Sequence, residues 1–151
     1  MTAAQIRTCD ARAGWVPGAC LLRPLPLLAA AVVASNDLWL KPQNPGGWLE
    51  GKLSDLGICL LLPVVLVSLW EWAHYALRGA RSPASAAVKL AACGITAAYF
   101  TMLQLWPAFG ELHMRLLARV APFINHTLYR DPTDLLALVM VPLAYLHLRR
   151  P

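Results

Sequence analysis

Between Leu90 and Gly110 the chain runs for 21 residues without a charged side chain. Three other stretches come close. From Pro24 to Asn36 there are 13 uncharged residues, then Asp37, then three more before Lys41. Leu56 to Trp70 gives 15 and continues past Glu71 to about Leu77, and Leu135 to Leu148 gives 14 before Arg149 and Arg150. A run of ~18 apolar residues suffices to cross a bilayer, and only the stretch beginning at Leu90 passes unaided. The others reach that length with polar residues at their ends in the headgroup region, and Asp37, Asp55, Glu71 and Asp134 all lie at ends rather than centres.

Composition decides between a membrane and a soluble core. The 151 residues are 58% hydrophobic and 14% charged, with a mean hydropathy of +0.53. Soluble domains carry about 25% charged residues, so this surface is too poor in charge to face water all round. The same numbers exclude a disordered chain. A nucleic-acid module is excluded too, because the 13 basic residues are scattered among apolar runs and form no stripe. The last three segments are apolar on every side, without the polar face of a surface helix. Trp39, Trp48, Trp70, Trp72 and Trp106 mark their borders, as an interfacial belt does. The expected fold is all-α: a four-helix transmembrane bundle with spans at about 24–41, 54–77, 89–110 and 132–148. It forms one membrane domain over 21–150, after a loose tail over 1–20.

Charge sets the orientation. With four spans, Arg7, Arg12, Arg23, Arg78, Arg81, Lys89, Arg149 and Arg150 share one side with only Asp10 and Glu71. The opposite side holds six acids and five basic residues. The positive-inside rule then places both termini in the cytoplasm, with the spans in the plasma membrane. A cleaved signal peptide is the rival for the first span, with Arg7 to Arg23 as its basic region and Val32-Val33-Ala34 as a cleavage site. Pro24 and Pro26 at the start of the apolar stretch, and its continuation through Leu40, favour a span. Over about 111–124 the pattern becomes amphipathic: Leu112, Leu116, Leu117, Val120, Phe123 and Ile124 share a face, and Glu111, Arg115 and Arg119 follow at i, i+4, i+8. That predicts a short helix lying in the outer interface before the last span.

The starts of the second and fourth spans echo each other. Ser54-Asp55-Leu56 precedes Pro63, and Thr133-Asp134-Leu135 precedes Pro142, with the same spacing. Two related hairpins would produce this, and so would two helices that use the same good N-terminal residues. In Asp131-Pro132-Thr133-Asp134, Asp131 reads as the cap and Pro132 as the first helical residue. Both inner prolines are expected to kink their helices.

The four-span topology collects one polar cluster on the outer face. Asn36, Asp37 and Lys41 close span one; Lys52, Ser54 and Asp55 open span two; Asp131, Thr133 and Asp134 open span four. A carboxylate near a lipid-facing helix end needs a cationic partner, and for Asp37 the candidates are Lys41 at i+4 and Lys52 across the hairpin. The strings N-D-L-W-L-K, G-K-L-S-D-L-G and D-P-T-D-L-L-A-L resemble an uncharacterised group of small bacterial multipass membrane proteins, over most of residues 24–148. The resemblance implies that Asn36, Asp37, Lys41, Gly51, Lys52, Ser54, Asp55, Asp131 and Asp134 act as one unit; it implies no activity.

Three functions compete. The first is an ionic lock tying helix ends together in an accessory or assembly protein, alone or as a homo- or hetero-oligomer in the lipid bilayer. The second is an extracytoplasmic ligand or divalent-cation site on Asp37, Asp55, Asp131 and Asp134, since carboxylate oxygens suit Ca²⁺ or Mg²⁺; the metal identity stays open. The third is a membrane-interface hydrolase acting on a lipid or peptide, with a carboxylate as base and Lys52 as electrophile or Ser54 as nucleophile. Two residues apart on a helix, those side chains diverge, and no catalytic motif accompanies them. Glu71 between Trp70 and Trp72 reads as a snorkelling end residue, and the four histidines as interfacial side chains. Cys9, Cys20, Cys59 and Cys93 show no metal-binding spacing, and the sequence leaves the question of a cofactor open.

Overall fold

The computed structural model describes residues 15–43, 47–79, 82–120 and 131–150. Everything described is helix or connecting turn. Helix α1 spans Pro24–Ser35, widens into a π-helical stretch over Asn36–Leu40, and closes with an α-turn over Lys41–Gln43. Helix α2 is Trp48–Arg78 and α3 is Ala86–Leu105. Helix α4 is Pro107–Val120. A 3₁₀ stretch over Pro132–Val139 leads into α5, Met140–Arg149.

Each boundary has a local cause. Pro24 opens α1 at a position whose N–H would have no partner anyway. Gly79 ends α2 in the left-handed conformation (φ 62°), its N–H reaching Tyr75 O at 2.8 Å. Ser85 caps α3, its hydroxyl accepting from Val88 N–H. Pro107 ends that helix because the residue before a proline is driven out of the α region, and Trp106 is extended at φ −112°, ψ 104°. The third apolar segment therefore stops at Leu105, five residues short of the expected boundary. The amphipathic helix starts at Pro107 rather than Glu111. The expected positions 121–124, most of the tail over 1–20 and residues 44–46 lie outside the described residues.

Pro63 stands inside a continuous α2. At Pro142 the effect is different. Its missing N–H leaves the Leu138 carbonyl without the usual i+4 donor, and the backbone before it tightens into 3₁₀ turns, Met140 N–H donating to Ala137 O. The kink expected there is a change of helix type.

Helix α2 is the axis of the fold, packing against α1, α3 and α5, while α3 also packs on α5. One apolar core gathers Leu60, Val64, Val67, Ala92, Ala144 and Leu148; a second gathers Cys59, Cys93, Phe100, Ala137 and Val141. Small residues at these contacts allow close approach of backbones. Gly57 is the tightest case: a Cβ there would collide with Val33 Cγ2.

Polar side chains share the buried interior with these apolar cores, and many large apolar side chains lie outside. Asn36, Ser54, Ser68, Glu71, Thr96, Gln104, Asp134 and His147 are buried, while Leu28, Leu38, Trp39, Leu69, Leu90, Ile95, Leu136 and Val139 are exposed. Two helices, Gly51–Arg78 and Ala86–Leu105, are long and apolar enough to cross a membrane.

Candidate functional site

The predicted polar cluster assembles as two adjoining networks at the Lys41/Lys52 end of the bundle. The first centres on Ser54, buried on α2. Asn36 Nδ2 donates to Ser54 Oγ at 2.6 Å, and Ser54 Oγ donates to Asp37 Oδ1 at 2.5 Å. Asp37 Oδ1 also faces Lys41 Nζ at 2.7 Å. Neighbouring side chains on an α-helix point about 100° apart, yet Asn36 and Asp37 reach the same hydroxyl. They do so where α1 widens into its π-helical stretch, Lys41 N–H bonding to Asn36 O five residues back. Such stretches recur where a side-chain constellation has to be re-aimed.

The second network centres on Lys52. Its ammonium donates to Thr133 Oγ1 at 2.6 Å and Asp134 Oδ1 at 2.7 Å, and lies 3.5 Å from Asp131 Oδ2. All three acceptors belong to the start of the last helix. Asp131 is its cap, Oδ1 accepting from Thr133 N–H at 2.9 Å, and Pro132 follows as the first helical residue. The hydroxyl and amide of Thr133, with the Lys52 ammonium, hold the Asp131 carboxyl below the ordinary carboxylate range. Asp134 is buried, with Gln104 Nε2 of α3 at 3.5 Å from its second oxygen.

All nine predicted residues thus stand at one end of the bundle, eight of them in direct side-chain contact with another member. Asp37 takes Lys41, leaving Lys52 for the last helix. Asp55 stands between the networks, within electrostatic range of Asp134, Asp37, Lys41 and Lys52, and it makes no hydrogen bond or ion pair with a described residue. Ser54 and Asp55 do not cap α2, because that helix begins at Trp48. The capping chemistry that fits Asp131 does not apply to them. Nor does Ser54 meet Lys52, since each serves a different network. Among the described residues no group of three His, Cys, Asp or Glu side chains is arranged to hold a metal ion.

No family model, curated protein or solved structure matches the chain. Its chemistry must be read from its own residues.

Three residues outside the predicted cluster matter. Gln104 ties α3 to Asp134, and its Oε1 is buried without a hydrogen-bond partner; an amide inside the longest uncharged run was its available signal. Glu71, expected to snorkel, is 6% exposed. Its Oε2 accepts from Gly18 N–H at 2.9 Å and its Oε1 from Ala84 N–H at 3.0 Å. It therefore pins two connecting segments at the opposite end, Gly18 adopting φ 73° to make the turn. His147 is buried with Nε2 3.1 Å from Cys20 O, rather than lying at an interface.

Proposed function

We propose that the chain is a four-span protein of the bacterial inner membrane, with both termini cytoplasmic. Its outward Asn/Asp/Lys/Ser cluster is an internal lock on helix ends, and its role is that of an accessory or assembly protein. The first and last segments have the reach this requires. Pro24 to Gln43 is helical throughout, about 30 Å at ~1.5 Å per residue. The last helix has eight residues in 3₁₀ turns at ~2.0 Å and ten in α at ~1.5 Å, roughly 31 Å in all. A hydrocarbon core is ≈30 Å thick. The exposed leucines, isoleucine and valine around the bundle are those of a lipid-facing surface, and the excess of Lys and Arg at the other end supports the orientation. Helix α4 then lies in the outer interface, Leu112, Leu116 and Val120 exposed, and Tyr99 Oη at 2.6 Å from His113 Nδ1 holds it to α3. The bacterial compartment rests on the resemblance carried by the NDLWLK, GKLSDLG and DPTDL strings.

The observation that carries the lock is the Lys52 ammonium. It is enclosed by three acceptors from a helix start about 80 residues away. Between helices in lipid there is little hydrophobic drive to associate, and interhelical polar contacts take a larger share. Melting in detergent tests it: substitution of either partner should lower stability, and a lock predicts strong coupling between the two. One observation favours the ligand reading instead. Asp55 leaves the cluster with four carboxylates against two ammonium groups, an excess that attracts a cation.

A further inference from the structure

At the opposite end of the bundle, a groove of about 270 Å³ runs between the start of α1 and the end of α5. Its polar lining residues are Arg23, just before α1, and His147 and Arg150 at the end of α5; its apolar ones, Leu25, Leu143 and Leu146, lie further into those helices. Arg23 Nη1 donates to Arg150 O at 3.0 Å, bridging the two helix ends, and its remaining guanidinium N–H groups are donors. No described carboxylate lines the groove. His147 Nε2–H donates to Cys20 O at 3.1 Å, which fixes the ring at the groove's edge. Leu143 and Leu146 are 39% and 54% exposed, so the apolar wall continues along the outside of α5.

We propose that this groove binds an anionic phospholipid, its phosphate on Arg23 and Arg150 and one acyl chain along Leu25, Leu143 and Leu146. Two features select that occupant. The polar end is cationic and fits a diester phosphate, which guanidinium groups grip with paired N–H donors. The cationic end passes directly into an apolar wall, which is the layout of a lipid and not of a free anion. Basic pockets between helices at the cytoplasmic surface take anionic headgroups in this way. The site rests on the four-span reading, which sets this end at the headgroup level.

The test is melting and native mass spectrometry of the full chain in neutral detergent, with phosphatidylglycerol, phosphatidylcholine or inorganic phosphate added. Phosphatidylglycerol should raise Tm by several degrees and remain bound in the gas phase, whereas the other two should do neither. Arg150→Gln keeps the backbone acceptor of Arg23 and should weaken phosphatidylglycerol binding about 10-fold; Arg23→Gln/Arg150→Gln should abolish it. The control Arg78→Gln/Lys89→Gln removes equal charge outside the groove and should leave binding unchanged. Equal losses in both double variants, or equal stabilisation by phosphatidylcholine, overturn the site in favour of diffuse attraction. Equal stabilisation by inorganic phosphate overturns the lipid, and a dimer lost with Arg150→Gln assigns the groove to a second copy. Cysteine labelling of the loops reads the topology separately. Four spans without lipid selectivity overturn the groove alone, and any other topology overturns both readings.

Discussion

Lys52 and Asp134, 82 residues apart, meet at 2.7 Å, with side chains only 16% and 10% exposed. Each is costly to leave alone at that depth. A partly buried ion pair broken on one side leaves an uncompensated charge, and that penalty usually exceeds the net worth of the intact pair. Lys52→Met and Asp134→Asn should each lower Tm in detergent by roughly 5 °C or more. The double variant should melt no lower than the worse single, because the second substitution removes the stranded charge. Additive losses in the cycle would show that the two side chains act independently.

Ser54 offers a neutral comparison. Its hydroxyl accepts from Asn36 and donates to Asp37, so Ser54→Ala strips both partners of one contact. Interhelical hydrogen bonds in lipid average ~0.6 kcal/mol and reach about 1.7. A loss of about 1–2 kcal/mol by chemical unfolding is therefore expected. If Ser54 were a nucleophile, Ser54→Ala would abolish function at unchanged stability.

The two glycines of the GKLSDLG string should behave oppositely. At Gly57 an added side chain runs into Val33, a β-branched residue with little room to turn aside, and Ala29 O lies 3.4 Å away. Gly57→Leu should destabilise by about 1–3 kcal/mol through separation of α1 from α2. At Gly51 an added Cβ would meet nothing within 4 Å, so Gly51→Ala should be neutral or stabilise by about 0.5–1 kcal/mol through helix propensity. Comparison of the unfolding midpoints checks both.

How far the sequence carried depended on the kind of signal. The apolar runs, with the amphipathic stretch after the third, located the long helices, because period and length are local properties, and the Asp131-Pro132 cap was readable for the same reason; the 3₁₀ turn at Ala19–Leu22 begins where a tail was expected. Residues 36 and 37 were placed near Ser54 by topology, but their convergence on one hydroxyl needed a π-helical stretch that no periodicity announces. Glu71 was misread. A carboxylate between two tryptophans looks interfacial, and the partners that bury it are backbone N–H groups of Gly18 and Ala84, which leave no trace in residue identity. Gln104 carries no charge, so a pattern of charges does not mark its contact with Asp134. The Ser/Thr-Asp-Leu echo conceals different roles: Asp134 sits in a first turn and holds Lys52, while Asp55 lies in the interior of α2 without such a contact.

Glu71 yields a prediction about the opposite end. Its two oxygens satisfy two backbone donors from segments on either side of α2. Glu71→Ala leaves both N–H groups buried and unpaired, which costs about 1–3 kcal/mol for each such group. Glu71→Gln retains one acceptor oxygen and should lose less. Limited proteolysis should show faster cleavage near Gly18 and Ala84 in the alanine variant before global stability is lost. Unchanged cleavage would mean that other contacts hold these segments.

Cation dependence separates the lock from the ligand site. In the lock, Asp37 is satisfied by Ser54 and Lys41, and Asp131 and Asp134 by Lys52, so Ca²⁺, Mg²⁺ or a chelator should leave Tm unchanged within about 1 °C. Displacing Lys52 from Asp134 to admit a divalent ion would strand the ammonium, which opposes cation binding unless Asp55 supplies most of the attraction. The decisive variant is therefore Asp55→Asn. A lock predicts that it stabilises slightly or does nothing, since burial of the Asp55 charge and repulsion from Asp134 and Asp37 outweigh attraction to Lys41 and Lys52, and no direct contact is removed. Cation stabilisation of the wild type that disappears in Asp55→Asn would instead make Asp55 a ligand, with the two lysine networks as its supporting frame.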